Sequence, residues 1–118
     1  MFGFGKPGSD RASDPRDISP EALKALVDAG NAVVVDVREP HEFAAGHIPG
    51  AINLPLSGFT PAALPPAGGR KLVLNCAAGG RSARALAACA AADASVEGHL
   101  AGGIGAWAAA GLPIAEGA

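Results

Sequence analysis

The strongest constraint on this fold is a pair of short apolar runs, Ala-Val-Val-Val-Asp-Val at residues 32–37 and Lys-Leu-Val-Leu-Asn at 71–75. Each is apolar at consecutive rather than alternate positions and is rich in residues that favour extended backbone. That pattern predicts strands covered on both faces, the environment of a parallel sheet. The residues between the runs supply the crossovers that parallel strands require. Ser19, Pro20 and Glu21 read as cap, first position and acidic first turn of a helix whose apolar face is Leu23, Leu26 and Val27, with Gly30 ending it. Further along, 40–45 is a short helix closed by Gly46, 52–54 a short strand, and 55–69 a Pro- and Gly-rich connection with a helical turn at 61–64. Residues 82–93 form an Ala-rich helix with Leu86 and Cys89 on one face, and 95–100 a weak last strand. Gly102 and Gly103 lead into a helix at 104–110, stopped by Gly111 and followed by Pro113. Strands alternating with helices make this an α/β domain with a largely parallel sheet flanked by helices.

The chain has 118 residues, 49% of them hydrophobic and 17% charged, which suits one compact core. Residues 1–17, rich in Gly, Ser, Asp and charge without periodicity, are expected to form a flexible leader, and 18–118 the folded domain. A net charge of -2 with no block of like charges argues against a nucleic-acid footprint or an anionic-membrane patch. The apolar run 85–92 is far below the ~20 residues that span a bilayer, and 1–16 lacks the apolar region of a secretory signal. Two cysteines make neither a disulfide framework nor a complete thiolate metal site, so a cytoplasmic protein without a metal is expected.

In open α/β sheets ligands bind beyond the carboxyl ends of the strands, and Cys76 stands directly after the run Leu72, Val73, Leu74. The segment Cys76, Ala77, Ala78, Gly79, Gly80, Arg81 joins a thiol at a strand end to small residues that let the backbone curl, then to an arginine and Ser82 at a helix start. Backbone N–H groups converging on one point, the helix dipole and Arg81 form an anion cradle. In such surroundings a thiol moves from ~8.5 toward its nucleophilic thiolate, reaching roughly 3.5 to 7.5. The same cradle serves a persulfide anion.

Three stretches together resemble the rhodanese family: Asp36-Val-Arg-Glu-Pro-His-Glu-Phe-Ala-Ala-Gly-His-Ile-Pro-Gly-Ala-Ile-Asn-Leu-Pro-Leu56, the Cys76 loop, and Leu100-Ala-Gly-Gly-Ile-Gly-Ala-Trp-Ala-Ala-Ala-Gly-Leu-Pro113. They extend over nearly all of the chain after Ile18. The resemblance implies a doubly wound, rhodanese-like domain and a two-step sulfurtransferase reaction. Cys76 takes a sulfane sulfur from a small-molecule donor such as thiosulfate and passes it to cyanide, a thiol or a protein thiol. It implies no cofactor, and for His47 a turn-stabilising role. Four residues separate Cys76 from Arg81, whereas the related dual-specificity and low-molecular-weight phosphatases place five there, so this smaller ring suits sulfur better than phosphate. Ala77 and Ala78 stand where thiosulfate-using members often carry a basic or hydrogen-bonding side chain.

Structural roles compete with several of these assignments. A cation at a helix start opposes the dipole, which points to an anion beside Arg81, either substrate or thiolate. Asp36 and Arg38, at the end of a strand, are placed to touch the donor, but the spacing of Arg38 and Glu42 equally suits an ion pair that holds the turn. Cys89, in phase with Leu86, reads as core packing, and Trp107 as an anchor for the last helix. His41 and His99 have no partner at metal spacing and are expected at the surface or behind the site. Beside the enzyme stands a second class of function, a non-catalytic module of the same fold that carries sulfur, senses sulfide or oxidant, or binds a protein.

Overall fold

The computed structural model describes residues 14–117; residues 1–13 of the expected leader lie outside them. Asp17, the last residue of that leader, pairs in the sheet. In chain order the elements are β1 (Asp17–Ile18), α1 (Pro20–Asp28), β2 (Ala32–Asp36), α2 (Pro40–Ala45), β3 (Ile52–Asn53), β4 (Lys71–Asn75), α3 (Gly80–Ala91), β5 (Gly98–Leu100) and α4 (Gly103–Ala109). Short 3-10 turns at Leu56–Gly58 and Pro61–Ala63 lie in the long connection, the second where a helical turn is expected.

The five strands form one parallel sheet in the order β1-β5-β4-β2-β3. The two apolar runs that constrain the sequence are its centre, in register from Ala32 against Lys71 to Asp36 against Asn75. Consecutive residues of each strand serve opposite faces. Val33, Val35, Leu72 and Leu74 pack against Ala85, Leu86 and Cys89 of α3, while Val34 and Val73 pack with Ile18, Leu23, Leu100 and Trp107 on the side of α1 and α4. Covering both faces is what an unbroken apolar strand requires.

The chain leaves β2 toward β3 on one side and leaves β4 toward β5 on the other. The carboxyl ends of β2 and β4 therefore flank the point where the winding reverses, the place such sheets keep for a ligand. Asp36 and Asn75 face each other there, and Val37 N–H donates to the Asn75 carbonyl at 2.8 Å. Cys76 follows immediately.

Several element boundaries differ by a residue or two from those the sequence predicts, and two of the differences have a clear local cause. The helix expected over 82–93 begins two residues earlier, at Gly80, because Gly79 takes φ +110° and turns the chain straight into the helix. The last strand, expected over 95–100, is confined to Gly98–Leu100, where partners exist on both sides in β1 and β4.

Candidate active site

The site is a backbone ring closed around one sulfur. The N–H of Gly79 reaches Cys76 Sγ at 3.0 Å, the Ser82 hydroxyl lies 3.4 Å from Sγ, and Ser82 Oγ also contacts the Gly79 carbonyl at 3.2 Å. From outside, the start of α4 holds the ring open: Ile104 N–H donates to the Cys76 carbonyl at 2.8 Å and Gly105 N–H to the Ala77 carbonyl at 3.0 Å. Carbonyls engaged outward leave the N–H groups pointing inward. Cys76 and Ser82 are buried at the floor, Ala77, Gly79 and Arg81 are half-buried, and Ala78 and Gly80 are exposed at the rim.

The electrostatics of the thiol follow from this geometry. Burial, the largest single influence, disfavours the thiolate; against it stand hydrogen bonds from the Ser82 hydroxyl and from the backbone N–H groups of Ser82, Gly79 and Ala78. The hydrogen bonds win, and Cys76 is held below the ordinary thiol range. Cys89 has burial without the donors, so its thiol is pushed up, in keeping with a core role. The same residue type meets two environments that push its thiol in opposite directions.

The anion that Arg81 holds in this structure is the Glu42 carboxylate. The guanidinium binds both oxygens of Glu42, at 2.8 and 3.0 Å. The pairing expected between Arg38 and the Glu42 carboxylate is therefore corrected. Arg38 instead grips Asp36, with Nε at 3.0 and 3.1 Å from the two carboxylate oxygens and Nη2 at 2.8 Å, and meets Glu42 only at its backbone carbonyl, 3.3 Å away. The physical reason is depth: Asp36 is wholly buried and needs the nearer cation, whereas Glu42, at the start of α2, lies at the rim within reach of α3. Asp36 and Arg38 thus support the wall of the site, and both of its arginines are occupied.

The Arg81 guanidinium, together with the Glu39 N–H at 2.9 Å, holds the Glu42 carboxyl down at about 2. A folded-state value below the unfolded 4.5 means stability that is present above 4.5 and lost as the pH falls through about 2. Glu42→Gln keeps the acceptor for Glu39 and removes the charge. It is expected to lower unfolding stability by about 1 kcal/mol at neutral pH, a modest figure because the pair is partly solvated. Urea titrations across the acid range should find the two proteins converging toward pH 2.

One cluster escaped the sequence reading. His99, expected at the surface or behind the site, is buried, with Nδ1 at 2.8 Å from Ser82 Oγ and Nε2 at 3.0 Å from Asp17. Alternation along β5 was the available signal: Leu100 faces Trp107, so His99 must face α3 and its Ser82. His47 does hold a turn, through Nδ1 at 2.8 Å from the Phe43 carbonyl and a ring stacked on Phe43 at 3.8 Å. Among the described residues no group of three or more His, Cys, Asp or Glu is arranged to hold a metal, and no helix is long and apolar enough to cross a membrane.

Comparison with known proteins agrees with the geometry. A family model described as a rhodanese-like domain matches residues 19–110. The chain is 46% identical over 101 residues to an uncharacterized protein of Synechocystis, a match covering 84% of this chain and 55% of that protein. It is 36% identical to a protein named sulfurtransferase in Allochromatium vinosum, over 83% of this chain and 92% of that one. Among solved structures, a rhodanese-related protein from Thermoplasma volcanium superposes with a TM-score of 0.74 at 30% identity, covering 85% of this chain and 97% of its own. The first curated relatives are about twice as long as the matched region. With a parallel sheet, a cysteine ring at the winding reversal and a family match over most of its length, the chain belongs to the rhodanese family of sulfurtransferase-like domains.

Proposed function

We propose that the protein transfers sulfane sulfur through a persulfide on Cys76. One observation carries this reading: a thiol held toward its thiolate lies in a ring of four intervening residues whose N–H groups point at a single sulfur atom. The Cys76 thiolate attacks the outer sulfur of a donor such as thiosulfate, the donor's sulfur–sulfur bond breaks, and sulfite leaves with the electron pair. Cyanide or a thiolate then attacks the outer sulfur of the persulfide, and the Cys76 thiolate leaves. The ring receives the negative charge at each stage with donors already in place. Two free thiols in the described chain suit a reducing, cytoplasmic setting.

A second reading, the sulfur carrier or binding module, is favoured by one feature of the rim. A sulfonate group needs a cation, yet Arg81 and Arg38 are committed to Glu42 and Asp36, and Ala77 and Ala78 offer no polar side chain. Donors whose sulfur arrives on a small thiol or a protein thiol therefore suit the site better than thiosulfate.

Mass spectrometry after incubation with thiosulfate, and separately with a low-molecular-weight persulfide, is expected to find one added sulfur atom per chain, mapped to Cys76. The persulfide should label faster. Release by cyanide with ping-pong kinetics supports the enzyme; labelling without release supports the carrier. A chain that stays unlabelled by every sulfane donor overturns both the enzyme and the carrier and leaves only the binding module.

A further inference from the structure

We propose that Asp17, His99 and Ser82 form a proton relay that takes the Cys76 proton and leaves a thiolate paired, through the serine, with an imidazolium. The inference rests on Cys76 as the reacting thiol and adds two positioning residues, Asp17 and His99, that lie outside the ring.

The groups lie in an unbroken series. Asp17 Oδ1 is 3.0 Å from His99 Nε2, His99 Nδ1 is 2.8 Å from Ser82 Oγ, and Ser82 Oγ is 3.4 Å from Cys76 Sγ. They come from three elements, β1, β5 and α3, and the parallel pairing of Asp17 with His99 fixes the first contact. A carboxylate only accepts, so the neutral imidazole carries its proton on Nε2, and Nδ1 presents a lone pair to the serine. The Ser82 hydroxyl has two acceptors, Nδ1 at 2.8 Å and the Gly79 carbonyl at 3.2 Å, and the nearer is the histidine. Every hydrogen then points one way along the series.

The transfer balances. The Cys76 S–H bond breaks and its proton moves to Ser82 Oγ, while the Ser82 O–H proton moves to His99 Nδ1. Sulfur keeps the electron pair. The new Ser82 O–H points back at the thiolate, and the imidazolium, now a donor at both nitrogens, spans Ser82 and Asp17. No net charge is created inside the protein, which matters at a cysteine only 1% exposed. The persulfide that follows is also an anion and keeps the same counter-charge.

Other charges near the relay are already matched. Just before β1 Asp14 and Arg16 pair at 3.2 Å; at the start of β4 Lys71 pairs with Glu97 at 3.5 Å; at the ring Arg81 is held by Glu42, and at the end of β2 Arg38 by Asp36. The helix α4, whose residues are uncharged, closes the remaining side.

The test follows the thiolate directly. In a Cys89→Ala parent, ultraviolet absorbance of the Cys76 thiolate is recorded against pH, beside the rate of alkylation by a small reagent. His99→Gln retains polar bulk but accepts no proton. Its titration is expected to move upward, with about tenfold less thiolate at neutral pH and the two proteins converging at alkaline pH. Asp17→Asn, a partly exposed edge position, should shift it the same way by less. In a Ser82→Ala background His99→Gln should add nothing, because the bridge is gone. Circular dichroism checks that each variant is folded. Coincident titrations of the parent and either His99→Gln or Asp17→Asn overturn the relay, as does an equal loss of rate at all pH values. The readout needs no sulfur transfer. A shifted titration in a chain that takes no sulfur keeps the relay and removes the sulfurtransferase reading, and the reverse result does the opposite.

Discussion

Replacing Arg38 with methionine is expected to lower the free energy of unfolding by about 3–5 kcal/mol, measured by urea denaturation followed through Trp107 fluorescence. Asp36 is 0% exposed, and its carboxylate depends on Arg38 for the backbone N–H at 3.0 Å and for the guanidinium contacts; beyond these it has only the Asn75 side-chain amide at 3.4 Å. Methionine fills much of the space but leaves a charge in the interior with almost no counterpart, and that uncompensated charge is the main cost. The guanidinium also binds the Gly46 carbonyl at 2.7 Å and the Glu42 carbonyl at 3.3 Å, so it fastens the end of α2 to the sheet. Loosening α2 moves Glu42 and frees Arg81 at the rim. The double variant Asp36→Asn, Arg38→Met removes both charges and should recover a large part of the loss, because replacing both members of a buried pair is far milder than removing one. A single-variant loss below about 1 kcal/mol would mean that the pair is solvated in a way its burial contradicts.

Arg38 also shows where the sequence was legible and where it was not. The two central strands were readable because consecutive apolar residues have few alternatives once helices lie on both sides, and the short elements between Gly and Pro signals followed. Cys76 was readable for a topological reason: it ends a buried strand and precedes a run of small residues. Which carboxylate pairs with which arginine was not. Arg38 has Asp36 two residues before it and Glu42 four after it, and sequence spacing alone cannot rank them. Burial does, giving the deep acid to the nearer guanidinium and leaving the rim acid for Arg81, 39 positions from Glu42. The carboxylate partner of His99 was lost for a related reason, since Asp17 is contributed by the pairing of β5 with a strand that begins in the expected leader. Contacts set by strand order are invisible until that order is known.

Gly103→Ala is expected to damage stability and site together, and the cause lies in how closely α4 approaches the ring. A Cβ added at Gly103 would stand 2.4 Å from the Cys76 carbonyl oxygen, 2.5 Å from that of Ala77 and 2.6 Å from the Ala77 carbonyl carbon. Ordinary contact begins at 3.4 Å, so the backbone must separate by about 1 Å, and the obstacle is main chain that cannot rotate away. The residue also has φ +62°, which adds about 1–2 kcal/mol of conformational strain for alanine. With the overpacking penalty the expected loss is about 3 kcal/mol or more. Gly111→Ala is the control: φ is +76° and nothing lies within 4 Å, so it carries the conformational cost alone. The difference between the two variants isolates the clash. Separation of α4 from the ring also stretches the bonds from Ile104 and Gly105 that keep the Cys76 and Ala77 carbonyls turned outward. Once those carbonyls are free to swing, the N–H groups no longer converge on sulfur. Displacement on that scale is expected to slow persulfide formation on the folded variant by about a hundredfold. Labelling at the wild-type rate in a folded Gly103→Ala protein would mean that the ring holds its shape without α4, and the source of its rigidity would have to lie within residues 76–82 themselves.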